Sequence, residues 1–187
     1  MNRRLLAFLV LVALALLAHW LSGQREEAAR ERAAEARHVP EYFLRDFIAT
    51  TMNLAGRPDQ RLAAAFMLRY ADDGSMDLTE PRMTLYDTAD DTPPWQIDAA
   101  RGLVSGDGRE VQLSGGVRLT REEAGGLLVL TTDAMRLRPK ERYAETDAPV
   151  TLTNPEGRVD AVGMRAYMKE ERLVLLAQVR GNYVPSP

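Results

Sequence analysis

Val159-Asp160-Ala161-Val162-Gly163-Met164 is one copy of a unit that recurs four times in this chain: an apolar residue, a small residue two positions on, and Met or Gly five positions on. The other copies start at Leu62 (Ala64, Met67), Ile97 (Ala99, Gly102) and Leu130 (Thr132, Met135). After each copy comes a turn and then a second apolar run, over residues 78–85, 111–119, 146–152 and 173–179. A recurring unit of this kind cannot bury its apolar face alone and must stack on its neighbours. The expectation is a stacked β-structure, of a type that binds or bridges more often than it catalyses.

The runs outside the unit support strands. Met83-x-Leu85, Val111-x-Leu113, Val117-x-Leu119, Leu128-x-Leu130, Val150-x-Leu152 and Leu173-x-Leu175 alternate with period two, as strands with one buried face do. Turn formers separate them: Ala71-Asp72-Asp73-Gly74, Ser105-Gly106-Asp107-Gly108, Gly125-Gly126 and Asn154-Pro155-Glu156-Gly157. Pro81, Pro139 and Pro149 are expected at strand starts or edges, where a missing N–H does least harm. No long helical stripe follows residue 40, so the residues predict an all-β domain of many short antiparallel strands, a jelly roll or a flattened solenoid.

The N-terminus is different in kind. Residues 5–21 are almost uninterruptedly apolar behind Arg3 and Arg4, and as a helix they would span roughly 25 Å against a bilayer core of about 30 Å. A cleaved signal peptide is the alternative, but the stretch from Ala18 to Gly23 has no clean small-x-small site, and Trp20 suits an interfacial anchor. Residues 1–22 therefore read as a cytoplasmic tip and membrane anchor, with all that follows exported by the positive-inside tendency, in a bacterium to the periplasm. Residues 24–37, rich in Ala, Glu and Arg at helical spacing, read as a solvated spacer. The domain plan is anchor 1–22, charged linker 23–40 and β-domain 41–187.

Composition excludes several functions. Beyond the anchor stand 22 basic and 27 acidic residues, a net charge of −5, which argues against nucleic acid as a partner. There is no cysteine, hence no disulfide, thiolate metal site or cysteine nucleophile. The two histidines, His19 and His38, precede the β-domain, so it has no imidazole for a triad or a metal. Lys140 and Lys169 stand beside charged turn residues and read as surface. Asp72-Asp73-Gly74 with Asp77, and Asp90-Asp91, lack the spacing of a calcium loop and read first as turns. No enzyme, cofactor or metal is expected.

Residues 42–47 (YFLRDF), 49–53 (ATTMN) with Gly56, Pro94-Trp95, Leu130-Thr131-Thr132-Asp133 and, most specifically, residues 142–167 (RYAETDAPVTLTNPEGRVDAVGMRAY) form a further pattern. Together these segments resemble the LptC family of lipopolysaccharide export proteins. The related bridge protein LptA shares the repeat but not the anchor. The resemblance implies an open β-jelly roll of OstA/LptA-like repeats behind a single transmembrane helix in the bacterial inner membrane. It also implies an apolar groove that takes lipopolysaccharide from the ABC transporter subunits LptF and LptG and passes it to LptA.

Period-two alternation then nominates the groove wall: Leu78, Met83, Leu85, Ile97, Val111, Leu113, Val117, Leu119, Leu130, Met135, Val150, Leu152, Met164 and Leu175. It does not separate lipid contact from ordinary core packing. Arg121 serves as an exposed reference position. The resemblance places the transporter-side edge at Tyr42, Phe43, Phe47, Thr50, Thr51, Asn53 and Gly56, and the LptA-docking edge at Leu173, Leu175, Val179 and Tyr183. The chain's end four residues after Tyr183 is expected to leave that edge uncovered. Free edges also allow a homodimer. Gly56 and Gly157 are expected at turns, through a positive φ or a close backbone approach. A rival reading is a membrane-tethered adaptor that joins proteins through its strand edges and holds no lipid; its interior would be filled by its own large side chains.

Overall fold

The computed structural model describes residues 39–87 and 92–183; the anchor, nearly all of the linker and the Asp90-Asp91 pair lie outside them. The described chain is an antiparallel sheet of eleven strands and not a barrel. Its strands are β1 (Pro40–Met52), β2 (Pro58–Tyr70), β3 (Met76–Thr79), β4 (Arg82–Leu85), β5 (Trp95–Asp98), β6 (Arg101–Val104), β7 (Val111–Glu123), β8 (Gly126–Arg138), β9 (Tyr143–Asn154), β10 (Gly157–Tyr167) and β11 (Arg172–Tyr183). All four turn clusters read from the sequence fall in hairpin connections.

The sheet is a meander with one complication. β2 pairs along its first half with β4 and along its second half with β3; β4 pairs with β5, β3 with β6, and both β5 and β6 pair with β7. Residues 78–85 are therefore two short strands and not one. Glu80, at φ 51, and Pro81 break the run, and the alternation slips phase there: Leu78 points inward, and so do Pro81, Met83 and Leu85. From β7 to β11 each strand pairs with the next. At the two ends of the sheet, among the described residues, β1 pairs only with β2 and β11 only with β10.

The recurring unit marks a line along which this sheet bends. Two inward residues at i and i+2 followed by a third at i+5 require one extra residue, because inward positions in a regular strand are an even number apart. The ladders supply it at the copies in β8 and β10, and at the first copy β2 changes partner from β4 to β3. Register shifts fall between Ser114 and Val117 in β7–β8, between Thr132 and Arg136 in β8–β9, between Val162 and Met164 in β9–β10, and between Asp160 and Val162 in β10–β11. Ala99-Ala100 separates β5 from β6 at the same line, and Asp46 in β1 and Gln178 in β11 cross it at φ 45 and φ 50. The small residues Ala64, Thr132 and Ala161 are buried in the crease, with Met67, Met135 and Met164 just beyond it. Gly102 replaces Met because even a Cβ there would stand 3.3 Å from Leu113 and Pro81.

Breaking the ladder exposes backbone groups that must be satisfied. Between β8 and β9 two buried threonines do so. The Thr132 hydroxyl donates to the Pro149 carbonyl at 2.8 Å, and the Thr146 hydroxyl accepts from the Ala148 N–H at 3.0 Å. Pro149 is thus in an inner strand, at its bend, and not at an edge; its missing N–H falls where the β8–β9 ladder is already interrupted. Pro139 opens a 3-10 turn between β8 and β9 (Pro139–Glu141) and not a strand. In β10 the bend is made by Gly163, at φ 78, where a Cβ would also approach Leu176 Cδ1 to 2.9 Å.

Both arms of the bent sheet turn their apolar faces to one core. Leu85, Ile97, Val117, Leu119, Leu130, Leu137 and Met164 are its most deeply buried side chains. Burying each is worth about 1.5–3 kcal/mol, and that drives the arms together.

Candidate functional site: a cavity between the two arms

Beyond the crease the arms diverge around a cavity of about 780 Å³. One wall is the outer half of β5, β7, β8 and β9, contributing Trp95, Leu119, Leu128, Leu130 and Leu152. The other is the end of β10 and the turn into β11, contributing Ala166, Tyr167, Met168 and Leu173. Its interior is dominated by aliphatic side chains, so it suits hydrocarbon.

The arms meet again at the hairpin tips through two ion pairs. Arg142 follows the first 3-10 turn, and Glu171 follows a second (Met168–Glu170); both are left-handed, at φ 54 and φ 47. These turns stack, with the Met168 N–H donating to the Arg142 carbonyl at 2.8 Å. Each left-handed residue sends its side chain across the gap. Arg142 Nη2 donates to Asp59 Oδ1 at the start of β2, and Arg121 Nη2 on β7 donates to Glu171 Oε1, both at 2.7 Å. The mouth is thereby held by charges, while the crease is held by packing.

Arg121 is not the exposed reference position that its residue type suggests. It is 8 % exposed, lines the cavity and lies over the Trp95 ring, 5.1 Å from its centroid. The reason is phase: Val117, Leu119 and Arg121 are successive inward positions of β7. Its Nε and the Trp95 Nε1 are buried without a hydrogen-bond partner among the described residues. Sequence reasoning also passed over Leu128, Tyr167 and Met168, for which the alternation of β8 and the last unit's Met164 were the available signals.

The nominated groove residues divide. Leu119, Leu130 and Leu152 line the cavity. Leu113 and Met135 face a second cleft of about 580 Å³ beside the crease. Leu78, Met83, Leu85, Ile97, Val111, Val117, Val150 and Met164 are enclosed in the core and line neither space, and Leu175 packs partly buried against that core.

The nominated edges are the two free edges of the sheet. On β1, Tyr42, Phe43, Thr50 and Thr51 are exposed, while Phe47 turns in against the core. Asn53 and Gly56 belong instead to the β1–β2 turn. The Asn53 carboxamide oxygen accepts from the Ala55 and Arg57 N–H groups, and Gly56 supplies φ 74. On β11, Leu173, Val179 and Tyr183 are exposed, Tyr183 at 71 %. Gly157 answers to close approach, since a Cβ there would collide with the Asn182 carbonyl. Among the described residues, nearly all large exposed apolar side chains sit on or beside these strands; Leu103 and Leu127 are the exceptions.

Two of the acidic residues considered for a metal, Asp73 and Asp77, serve the fold. Asp73 Oδ1 accepts from the Ser75 N–H, and Asp77 accepts from the Tyr70 hydroxyl at 2.7 Å. Among the described residues no cluster of His, Cys, Asp or Glu is arranged to hold a metal ion.

Comparison with curated proteins found no match. The family model described as lipopolysaccharide-assembly, LptC-related, matches residues 8–184, nearly the whole chain. The chain belongs to this LptC-related family and is a non-catalytic component of lipopolysaccharide transport between the inner and outer membranes.

Proposed function

We propose that the domain is an open β-jelly roll that carries the acyl chains of lipopolysaccharide between its two arms. The observation that carries this reading is the apolar cavity of about 780 Å³ between the arms. The physical need is large. At about 0.8 kcal/mol per CH₂, exposing one chain of a dozen carbons to water costs on the order of 10 kcal/mol, and lipid A has several such chains. A continuous apolar passage removes that barrier without any catalytic group.

The two free edges give the passage a direction. β1 is read as the edge that meets LptF and LptG, and β11 as the edge that docks LptA by strand addition, since each leaves a row of backbone donors and acceptors unpaired. When partners are lacking, the same edges allow two copies to pair. Residues 5–21 are read as the inner-membrane anchor, with the N-terminus cytoplasmic and the β-domain periplasmic. The adaptor reading needs an interior filled by its own side chains, so the cavity favours transport.

Photo-crosslinking in intact cells tests the proposal. A photoreactive residue at Leu119, Leu130 or Leu152 should give ATP-dependent lipopolysaccharide adducts, and one at the exposed Arg118 should give none. Adducts with proteins alone, confined to β1 and β11, would return the adaptor reading.

A further inference from the structure

Arg121 stands out against its surroundings. Among the described residues it is the one cation in the cavity wall that is more than nine-tenths buried, and burying a guanidinium is costly unless it is well paired. Its pairing is partial. Glu171 meets Nη2 at 2.7 Å and Trp95 offers its ring face at 5.1 Å, but Nε makes no hydrogen bond within the described protein. Trp95 Nε1, a second buried donor, is also unpartnered. Two donors on one wall therefore want acceptor oxygens, and a guanidinium fork suits a phosphate or carboxylate.

Its partner is built to leave. The Glu171 side chain is 66 % exposed and stands at a left-handed turn position, whereas that of Arg121 is 9 % exposed. Moving Glu171 into water costs little, because exposed carboxylates are well hydrated and their pairs are weak. Glu122, Glu123 and Arg172 also line this end of the cavity, but they are exposed and screened by salt. The buried Arg121 consequently dominates recognition.

We propose that Arg121, with Trp95, is the subsite for the acidic headgroup of an amphiphile whose chains occupy the cavity, and that this headgroup displaces Glu171 from Arg121. Ligand entry and release of the Arg121–Glu171 closure are then one exchange: an acidic group of the protein is replaced by an acidic group of the lipid. This rests on the transport reading above, and it adds that the charge of the headgroup is selected.

The test uses the full chain in amphipol with Trp20→Phe, which leaves Trp95 as the single tryptophan and its fluorescence as the reporter. The probes are hexa-acylated lipid A bearing both phosphates, the same lipid dephosphorylated, and inorganic phosphate. The unsubstituted site should prefer the phosphorylated lipid by about tenfold, the scale of a charge-assisted hydrogen bond. Arg121→Gln should abolish that preference, so that the two lipids bind alike. Glu171→Gln, a change at an exposed side chain, should widen the preference for the phosphorylated lipid by about threefold.

A preference that survives Arg121→Gln would overturn the assignment, as would equal weakening of both lipids by the two variants. Saturation by inorganic phosphate at the same concentrations as lipid would also overturn it, since the site would then select a free anion. Failure of the unsubstituted protein to bind either lipid would defeat the transport reading itself, and the headgroup subsite with it.

Discussion

The crease and the mouth lie on the same strands and are built from opposite chemistry. At the crease the recurring unit sets small side chains, Met and a left-handed glycine against each other, and Thr132 and Thr146 satisfy the broken ladder. Nothing there gains from contact with water. At the mouth, Arg121–Glu171 and Arg142–Asp59 close the gap, each with one partner buried and the other reaching solvent. Water and lipid headgroups can both substitute for such partners. The proposed lipid exchange uses this division, with packing at the crease and solvent-reaching ion pairs at the mouth.

The contrast is broken most severely at Gly163. Valine there must hold φ 78 and push Leu176 away, so Gly163→Val should cost on the order of 3–5 kcal/mol in chemical denaturation. Thr132→Val removes the hydroxyl that serves the Pro149 carbonyl, and the same measurement should show a loss of about 1–2 kcal/mol. The mouth should behave otherwise. Arg142→Met leaves Asp59 partly solvated, and its global cost should stay near 1 kcal/mol. Amide exchange of residues 168–173 should nevertheless accelerate in that variant, while that of the crease should not.

The smallest effect lies on the outer face. Arg158 and the Thr151 hydroxyl donate to the Asp160 carboxylate and hold its pKa at about 2, below the ordinary 3.8. Because the folded value is depressed, its contribution to stability is present above pH 3.8 and disappears as pH falls through about 2. A carboxyl titration by NMR should find this midpoint, and Arg158→Ala should raise it toward the ordinary value.

Much of this was legible in the residues, and the gaps have particular causes. The alternation gave the all-β domain, and the turn clusters gave the hairpins. The unit gave a repeat, but reading it as a bend needs the parity of its spacing, since i+2 to i+5 is an odd step between inward positions. The same odd step splits residues 78–85 at Glu80-Pro81, while regular alternation turns Arg121 inward behind Val117 and Leu119. Residue type argued for an exposed Arg121, and phase prevailed because the inward face of β7 stays buried from Val117 to Arg121. The cavity was not legible. Alternation identifies the inward face, and only the divergence of the arms decides that Leu119, Leu130 and Leu152 line open space while Ile97 and Val117 are enclosed.

The most direct test is a pair of distances in the full chain, which is free of cysteine and so accepts two spin labels cleanly. Labels at Glu123→Cys and Glu170→Cys span the mouth, and labels at Ser114→Cys and Arg118→Cys span the crease within β7; all four positions are exposed. With lipopolysaccharide added, the mouth distance should lengthen and the crease distance should hold. An unchanged mouth, or a crease that moves with it, would contradict a lipid carrier that opens at its hairpin tips.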